Sequence, residues 1–474
     1  MENQDQESRW KIAFRHISQW KIQVEPIIFI LSLCNTARSV ISPHLMEEKM
    51  KRTYFPPPHK TSDYYKKFYN KKIVLWNQNY EYVNLPIACI AGIVYGSYSD
   101  QKGRKLPLLI GLVSVIIDNI FYMLIWSEKT DISLEWLFLG ATIVGLMGDF
   151  MLLMSCVNAY LADQFGNKRT LSFRMVLVST IFSLGSFCGS QTVDHLVDVI
   201  GGIGTMFVGT LIATFILSIL ILNNPLPIKQ QLNSETEAVI AVETIETDEI
   251  QHPQSFYKAV IEKFKFLFNS VKIFYIPREG HRRLFLYACF AANFLDQLVF
   301  GEEKDLIGKY TLLFNWSTHE YARYKELRSI VQIIGMIFGL VVLKWGFKFR
   351  DTFIIVLAIA SMSLSTLVIG LAKSSTLIYA SLAPGSLHGL LNPLTYTFIT
   401  CLVEPSEIGQ TFAVSTIAGK LAGIVQTALL DNIYRYSVDW YQGFVWLVMC
   451  LISAIASFLY LIIHIIAKKE DIGT

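Results

Sequence analysis

Five ionisable residues lie deep inside apolar stretches of the chain. They are Arg38, Asp149, Asp296, His388 and Lys420. A charge near the centre of a membrane costs about 2.5–3.5 kcal/mol on insertion scales, so such residues usually face a wet cavity and serve function. Arginine and lysine can bind a carboxylate or a phosphate, while aspartate and histidine can carry a proton. The five residues therefore predict a site that binds an anion and exchanges protons.

Helical spacing adds polar neighbours, because side chains three, four or seven positions apart share one face of a helix. Asn35 lies near the face of Arg38, and Asn392 lies on the face of His388. The residues expected to bind substrate are Arg38, Asn35, Asn392 and Lys420. The candidates for proton coupling are Asp149, Asp296 and His388. We expect no metal site and no enzyme activity, since neither a catalytic triad nor a metal-ligand spacing occurs.

Simpler roles stay open for some of these residues. Arg38 and Asp149 could pair as a structural salt bridge, and His388 could be a packing histidine whose hydrogen bonds are satisfied. Asp118 is a further carboxylate within an apolar run, on a segment expected to be peripheral, and contact with a neighbouring helix is its best interpretation. The binding and coupling roles are therefore hypotheses about one shared cavity.

The composition indicates which elements position these residues. The chain has 474 residues, of which 53% are hydrophobic and only 17% are charged, with a mean hydropathy of +0.41. Soluble proteins contain about 25% charged residues, so a soluble enzyme is excluded. The net charge of +3 is too small to indicate a nucleic-acid partner. All seven cysteines lie in apolar runs and are expected to be packing residues.

Twelve apolar runs, each able to cross about 30 Å of hydrocarbon, predict an all-α membrane protein with twelve transmembrane helices. The runs are 24–45, 81–99, 106–126, 134–161, 174–200, 203–222, 284–301, 328–343, 352–372, 376–402, 408–430 and 442–467. We expect two pseudo-symmetric six-helix bundles, residues 1–222 and 284–474. The cytoplasmic linker between them, residues 223–283, is expected to be partly disordered, with an amphipathic helix at 256–274.

Lysine and arginine concentrate at the ends of the runs that would be cytoplasmic, which places both termini inside. The segment 46–80, predicted to lie outside, carries eight Lys and Arg residues and conflicts with this orientation. Asn315 begins a glycosylation sequon in a predicted outer loop, so we expect a glycoprotein.

The segment GSYSDQKGRK, residues 96–105, contains glycines and charges at characteristic spacings. They are Gly96, Asp100, Gly103, Arg104 and Lys105. Glycine permits close helix approach and a tight turn, while Asp and Arg can form contacts that exist in only one state of a cycle. This spacing resembles the G-x-x-x-D-x-x-G-R-K/R motif of the major facilitator superfamily, between its second and third helices. The resemblance implies two bundles that rock around a central cavity, and it makes these residues a conformational switch.

Within that superfamily the chain resembles the proton-coupled folate transporter family, solute carrier family 46, in an arthropod-type form. The segments that carry this resemblance are Glu25-Pro26, Gly148-Asp149-Phe150, Tyr160–Asp163 followed by Arg174, residues 301–316 and residues 431–434. The resemblance adds Asp163 and Arg174 to the conformational switch. Ser179 stands where the family often has an acidic residue, and Tyr396 stands where folate-transporting members have an arginine, so folate itself is not implied.

Together these patterns predict a secondary active transporter that moves a small organic anion, folate-like or another carboxylate or phosphate solute, by alternating access. Proton symport is the expected drive, with no cofactor beyond the proton gradient. We expect the protein to function as a monomer in the plasma membrane or the lysosomal membrane. The alternatives are a transporter-like nutrient sensor or receptor without net transport, and a facilitative uniporter.

Overall fold

The computed structural model describes residues 25–102, 105–127, 130–150, 152–154, 156–157, 168–212, 214–215, 219, 275, 280–404 and 408–470. Within these ranges the chain is helical and contains no β-strand. Seven helical stretches are long and apolar enough to cross a membrane. The molecule is therefore an all-α, multi-pass membrane protein, while the full count of twelve spans stays a prediction.

The described helices fall into an N-terminal and a C-terminal set. The N-terminal helices are α1 (Glu25–Thr53), α2 (Ser62–Lys102), α3 (Lys105–Trp126), α4 (Trp136–Leu146), α5 (Lys168–Met206) and the π-helical α6 (Phe207–Ile212). The C-terminal helices are α7 (Arg282–Leu312), α8 (Thr318–Phe338), α9 (Asp351–Gly370), α10 (Leu391–Leu402), α11 (Ile408–Ser437) and α12 (Phe444–Lys469). A π-helical turn, Gly339–Gly346, continues α8, and the short segments Ser375–Ala380 and Pro384–Leu390 precede α10. The predicted linker lies almost entirely outside the described ranges, so the domain boundaries stay a prediction.

Several helices are longer than the apolar runs that predicted them. Helix α2 begins at Ser62 rather than at residue 81, and α8 begins at Thr318 rather than at residue 328. Hydropathy marks only the part of a helix that lies in hydrocarbon, whereas backbone hydrogen bonding continues into water once a helix has formed. At the start of α8, Ser317 and Glu320 form a reciprocal capping box that fixes the first turn. The polar segment 46–80 is therefore mostly helix and not a loop.

Helices α1 and α5 cross at close range because α5 presents glycines to α1. A Cβ atom at Gly189 would lie 2.6 Å from the carbonyl oxygen of Leu33. Two turns earlier on α5, the carbonyl oxygen of Phe182 accepts a hydrogen bond of 2.5 Å from the hydroxyl of Ser32 on α1. Small residues at such crossings let membrane helices pack through backbone contacts. The crossing therefore holds α1, which carries Arg38, against a second N-terminal helix.

We expect Gly189→Ala to destabilise the fold, because the added methyl group overpacks this crossing at a cost of about 1–3 kcal/mol. Gly419→Ala is the matched control, since a Cβ at Gly419 meets no atom within 4 Å. Alanine favours a helix over glycine by about 1 kcal/mol, so the control should be neutral or stabilising. Thermal unfolding midpoints of the two purified variants in detergent test this. Equal midpoints would contradict the close crossing.

Buried apolar side chains form three clusters. One lies among N-terminal helices and includes Ile28, Leu31 and Leu153. A second is made almost wholly of C-terminal residues. The third draws on both sets of helices and lies toward the end of the molecule where α1 ends and α2 begins, which we call the α1–α2 end. The N-terminal and C-terminal helices thus share a common apolar core at the α1–α2 end.

Candidate functional site

A cavity of about 290 Å³ lies between the N-terminal helices and the first two C-terminal helices. Helices α1, α2 and α3, with Asp149 and Phe150 beyond the end of α4, form most of its wall, and α7 and α8 complete it. Its polar lining includes Asn35, Arg38, Tyr80, Asp118, Asp149 and Lys309. A polar, charged cavity among apolar helices is the kind of site in which a membrane protein binds a hydrophilic solute.

Arg38 on α1 forms an ion pair with Asp118 on α3 at the wall of this cavity. Its guanidinium also lies 4.5 Å from the ring centroid of Tyr122. Tyr80 on α2 donates a hydrogen bond of 2.9 Å to the second carboxylate oxygen of Asp118. The partner of Arg38 is thus Asp118 and not Asp149, which also explains why a carboxylate is tolerated within α3. The positive charge of Arg38 is largely neutralised before any ligand binds.

Asp149 lies in the cavity wall at a break in the fourth membrane segment. Helix α4 ends at Leu146, and Gly148 and Asp149 have φ values of +87° and +59°. A positive φ is uncommon outside glycine, and aspartate tolerates it because its side chain can bond locally. Here the Asp149 carboxylate accepts a hydrogen bond of 2.5 Å from the amide of Phe150. The break therefore directs a carboxylate into the cavity from an interrupted helix.

Lys420 on α11 is bound by main-chain carbonyl groups. Its ammonium donates to the carbonyl oxygen of Ala88 on α2 at 2.6 Å and to that of Gly148 at 3.4 Å. The residue is 3% exposed and does not belong to the cavity lining described above. Of the two cations expected to share one anion, Arg38 therefore faces the cavity. Lys420 lies outside its lining, is held by the carbonyl groups of Ala88 and Gly148, and acts by its charge on Asp149.

Two other predicted residues form a pair within the C-terminal helices. The His388 ring nitrogen Nε2 lies 3.3 Å from an Asp296 carboxylate oxygen, and both side chains are buried. Asn392 accepts a hydrogen bond of 3.0 Å from Gln297. None of these residues lines the large cavity, although His388 borders a small void of about 20 Å³. Of the residues predicted to bind substrate, only Asn35 and Arg38 line the large cavity.

Lys309 on α7 is a cavity residue that the sequence patterns missed. It follows the predicted end of its apolar run, residue 301, whereas α7 continues to Leu312. The preceding Gly308 brings α7 against α1 and α8, because a Cβ there would lie 2.8 Å both from the Pro43 ring and from the Tyr321 hydroxyl. The useful signal was a glycine directly before a lysine, in a stretch whose helical pattern continues past the apolar run.

The conformational-switch residues are only partly described. Gly96 and Asp100 lie on α2 with side chains outside the described set, and Gly103, Arg104 and Asp163 lie outside the described residues. Arg174 on α5 forms a 3.3 Å ion pair with Glu25 at the start of α1. The sequon residue Asn315 is exposed in the connection between α7 and α8, and its glycosylation stays a prediction.

At the α1–α2 end, polar contacts join N-terminal to C-terminal helices. We call the α2 contacts the seam: Asn70 donates to the carbonyl of Lys309 at 2.6 Å, and Gln78 donates to the carbonyl of Thr427 at 2.9 Å. Arg435 on α11 donates to the Gln78 side chain at 2.9 Å. On the opposite side, His319 on α8 lies between two carboxylates of α5. Its two ring nitrogens lie 2.7 and 2.9 Å from oxygens of Asp194 and Asp198, respectively, and we call these three residues the clasp. Because both sets of contacts join the two sets of helices, we infer that they limit access to the cavity from this end.

We expect the clasp to weaken as pH rises, because a neutral imidazole has only one N–H and one carboxylate would then face a lone pair. The readout is the rate at which a methanethiosulfonate reagent labels a thiol in the cavity wall, introduced as Ser42→Cys in a cysteine-free background. Addition of His319→Gln should raise this rate at pH 5.5 and leave it unchanged at pH 8.5. One lost charge-assisted bond of about 1.5 kcal/mol corresponds to about tenfold in rate. His195→Gln is the control, since His195 is hydrogen-bonded to Gln191 of its own helix and acts on Glu326 of α8 only through its charge. A His319 variant with unchanged labelling would refute the clasp.

The chain matches the family model described as Major Facilitator Superfamily over residues 84–427. It is 23% identical over 373 residues to the probable peptidoglycan muropeptide transporter SLC46 of Drosophila melanogaster, a match that covers 75% of this chain but only 66% of that protein. It is 22% identical over 450 residues to the lysosomal proton-coupled steroid conjugate and bile acid symporter SLC46A3 of Gallus gallus, covering 90% of this chain and 91% of that one.

Solved structures share the fold at low identity. The human organic anion transporter MFSD10 (TETRAN) superposes with a TM-score of 0.65 at 16% identity, covering 92% of this chain and 97% of that one. A D-xylose-proton symporter superposes with a TM-score of 0.61 at 13% identity, covering 92% and 95%. The family model spans most of the chain, the curated relatives are transporters of solute carrier family 46, and the fold is the same. The chain therefore belongs to the Major Facilitator Superfamily and is a membrane transport protein, not an enzyme.

Proposed function

We propose that the chain moves a small organic anion through the large cavity by alternating access, with protons as the coupling ion. The observation that carries this proposal is the cavity itself, which combines two cations with carboxylates between the N-terminal and C-terminal helices. Solutes cross in this fold when the two sets of helices rock around a central site. The cavity has the size and polarity that such a site requires.

The names of the relatives support an anionic solute and proton coupling. The Gallus gallus relative is described as a proton-coupled symporter of steroid conjugates and bile acids, and another relative, from Rattus norvegicus, is described as a proton-coupled folate transporter. Asp149 is the proposed proton carrier, because it is the carboxylate of the cavity that has neither the Arg38 pair of Asp118 nor a helical backbone. A carboxylate held in such a site can change its protonation during the cycle.

The direct test is reconstitution of the purified chain in proteoliposomes. Radiolabelled folate, muramyl dipeptide and a steroid sulfate are offered with and without an inward proton gradient, and protein-free liposomes are the control. We expect accumulation of at least one of these anions that a protonophore abolishes. Flux without any response to the gradient would indicate a facilitative uniporter.

Binding without flux would favour the sensor or receptor alternative and would contradict the transport proposal.

We further propose that the protein functions as a monomer. We also propose that it lies in the plasma membrane or the lysosomal membrane, and the lysosomal description of the Gallus gallus relative supports this location. Fluorescence microscopy of a tagged chain against compartment markers tests the location.

A further inference from the structure

Lys309 lines the large cavity from the C-terminal helices and carries a cationic side chain. The residue as a whole is only 5% exposed, and its main-chain carbonyl is held by Asn70 at 2.6 Å, so its position on α7 is fixed. Gly308 before it brings this turn of α7 against Pro43 of α1. The ammonium of Lys309 thus faces a wall otherwise made mostly of N-terminal helices.

Two polar groups at the cavity have no partner among the residues that the structure describes. The Lys309 ammonium has neither an ion pair nor a hydrogen-bond acceptor there. The amide oxygen of Asn84 on α2 is buried and accepts no hydrogen bond. A buried polar group without a partner costs about 1–3 kcal/mol, which applies to the Asn84 oxygen, whereas the Lys309 ammonium is open to the cavity. A ligand with an acidic group and a hydrogen-bond donor would satisfy both.

We propose that Lys309 binds the acidic group of the substrate, and that the substrate is a hydrophilic acid with amide or hydroxyl groups rather than an apolar anion. Asn84 would accept from one of these groups, and Asn35, Asn77 and Ser39 supply further amide and hydroxyl partners in the same wall. An apolar anion would leave these groups unpaired, which sites of this kind reject strongly.

This inference rests on the proposed function, and it names the cation that would bind the anionic solute. Arg38 is already paired with Asp118, and Glu81, the remaining carboxylate of the described wall, has an interaction of its own. The lysine that acts by its charge on Asp149 is Lys420. Lys309 therefore has no counter-charge among the described carboxylates of the wall, and an anionic solute would supply one.

The first test needs no known substrate. A binding cation that lacks a partner lowers the stability of the empty protein, so Lys309→Met should leave the thermal unfolding midpoint unchanged or raise it. Lys49→Met is the matched control, because Lys49 is similarly buried but donates to the carbonyls of Thr130 and Ile132 at 3.3 and 3.1 Å. The control should lower the midpoint. A Lys309 variant destabilised as much as the control would overturn the proposal, since Lys309 would then be structural.

The second test measures the charge of the cavity. In the cysteine-free Ser42→Cys background, labelling rates are compared for an anionic and a cationic methanethiosulfonate reagent of similar size. Lys309→Gln should lower the anionic-to-cationic rate ratio by about tenfold, while Lys49→Gln should leave it unchanged. An unchanged ratio in Lys309→Gln would overturn the proposal, whether or not any solute is transported.

The third test separates this inference from the proposed function. Proteoliposome uptake of muramyl dipeptide, of its uncharged amide and of a steroid sulfate is compared for the parent and for Lys309→Gln. We expect uptake of the acid alone, lost in Lys309→Gln. Uptake of the steroid sulfate alone, or of the amide, would keep transport but overturn the substrate class. Absence of all uptake beside a lowered rate ratio would contradict transport while supporting Lys309 as the anion site.

Discussion

Asp149→Asn is expected to abolish uptake against a gradient that is driven by protons, while exchange of labelled for unlabelled solute continues. Asparagine has nearly the same shape as aspartate but cannot take up a proton at this position. Exchange requires no net proton movement, so a variant that is folded and binds solute should retain it. Parallel measurements of accumulation and exchange in proteoliposomes, each over a series of external pH values, test the prediction. The pH dependence of uptake should become flat.

Asp296→Asn is the matched comparison for this experiment. Asp296 is fully buried beside His388 and lies away from the large cavity. If Asp149→Asn keeps the parent pH profile and Asp296→Asn loses it, the proton site belongs to the Asp296–His388 pair. If neither variant changes the profile, proton coupling through these carboxylates is wrong.

Arg38→Ala is expected to destabilise the protein, which would confound any direct reading of its transport. The side chains of Arg38 and Asp118 are 23% and 15% exposed, so removal of the arginine leaves Asp118 mostly buried and without its counter-charge. Breaking such a pair from one side costs about 3 kcal/mol. We expect a thermal unfolding midpoint several degrees lower for Arg38→Ala and likewise for Asp118→Ala, measured in the same detergent.

The double variant Arg38→Ala with Asp118→Ala separates structure from binding. Removal of both charges eliminates the unpaired group, so the double variant should recover at least half of the lost midpoint. Its uptake then reports the role of Arg38 in binding without the fold defect. Additive losses in the double variant would show that the two residues do not stabilise each other.

Hydropathy predicted the fold class well because the membrane imposes a length on every apolar segment. Its run boundaries were poor guides to helix ends, as α2 and α8 show, since polar turns outside the hydrocarbon carry no hydropathy signal. The same limit hid Lys309, which lies eight residues after the end of its predicted run at 301.

The residue types identified the ionisable side chains within the apolar runs, but not which of these side chains contact one another. Arg38 and Asp149 both line the cavity, yet the arginine pairs with Asp118 from a helix expected to be peripheral. Lys420 shares its helical face with polar residues, yet its ammonium is bound by carbonyls of α2 and of the break before Asp149. The rotation of a helix, and the backbone path at the break that brings the Gly148 carbonyl near Lys420, depend on tertiary packing and have no sequence signature of their own.

Three hydrogen bonds between the N-terminal and C-terminal helices pair a side-chain donor with a main-chain acceptor. Asn70, Gln78 and Lys420 each donate to a main-chain oxygen across the divide, that of Lys309, Thr427 and Ala88 respectively. A main-chain acceptor is present whatever side chain the position carries. Substitutions at the accepting positions would therefore preserve these hydrogen bonds between the two sets of helices. The side chain at position 309 can then vary, and with it the accepted solute, without loss of these contacts.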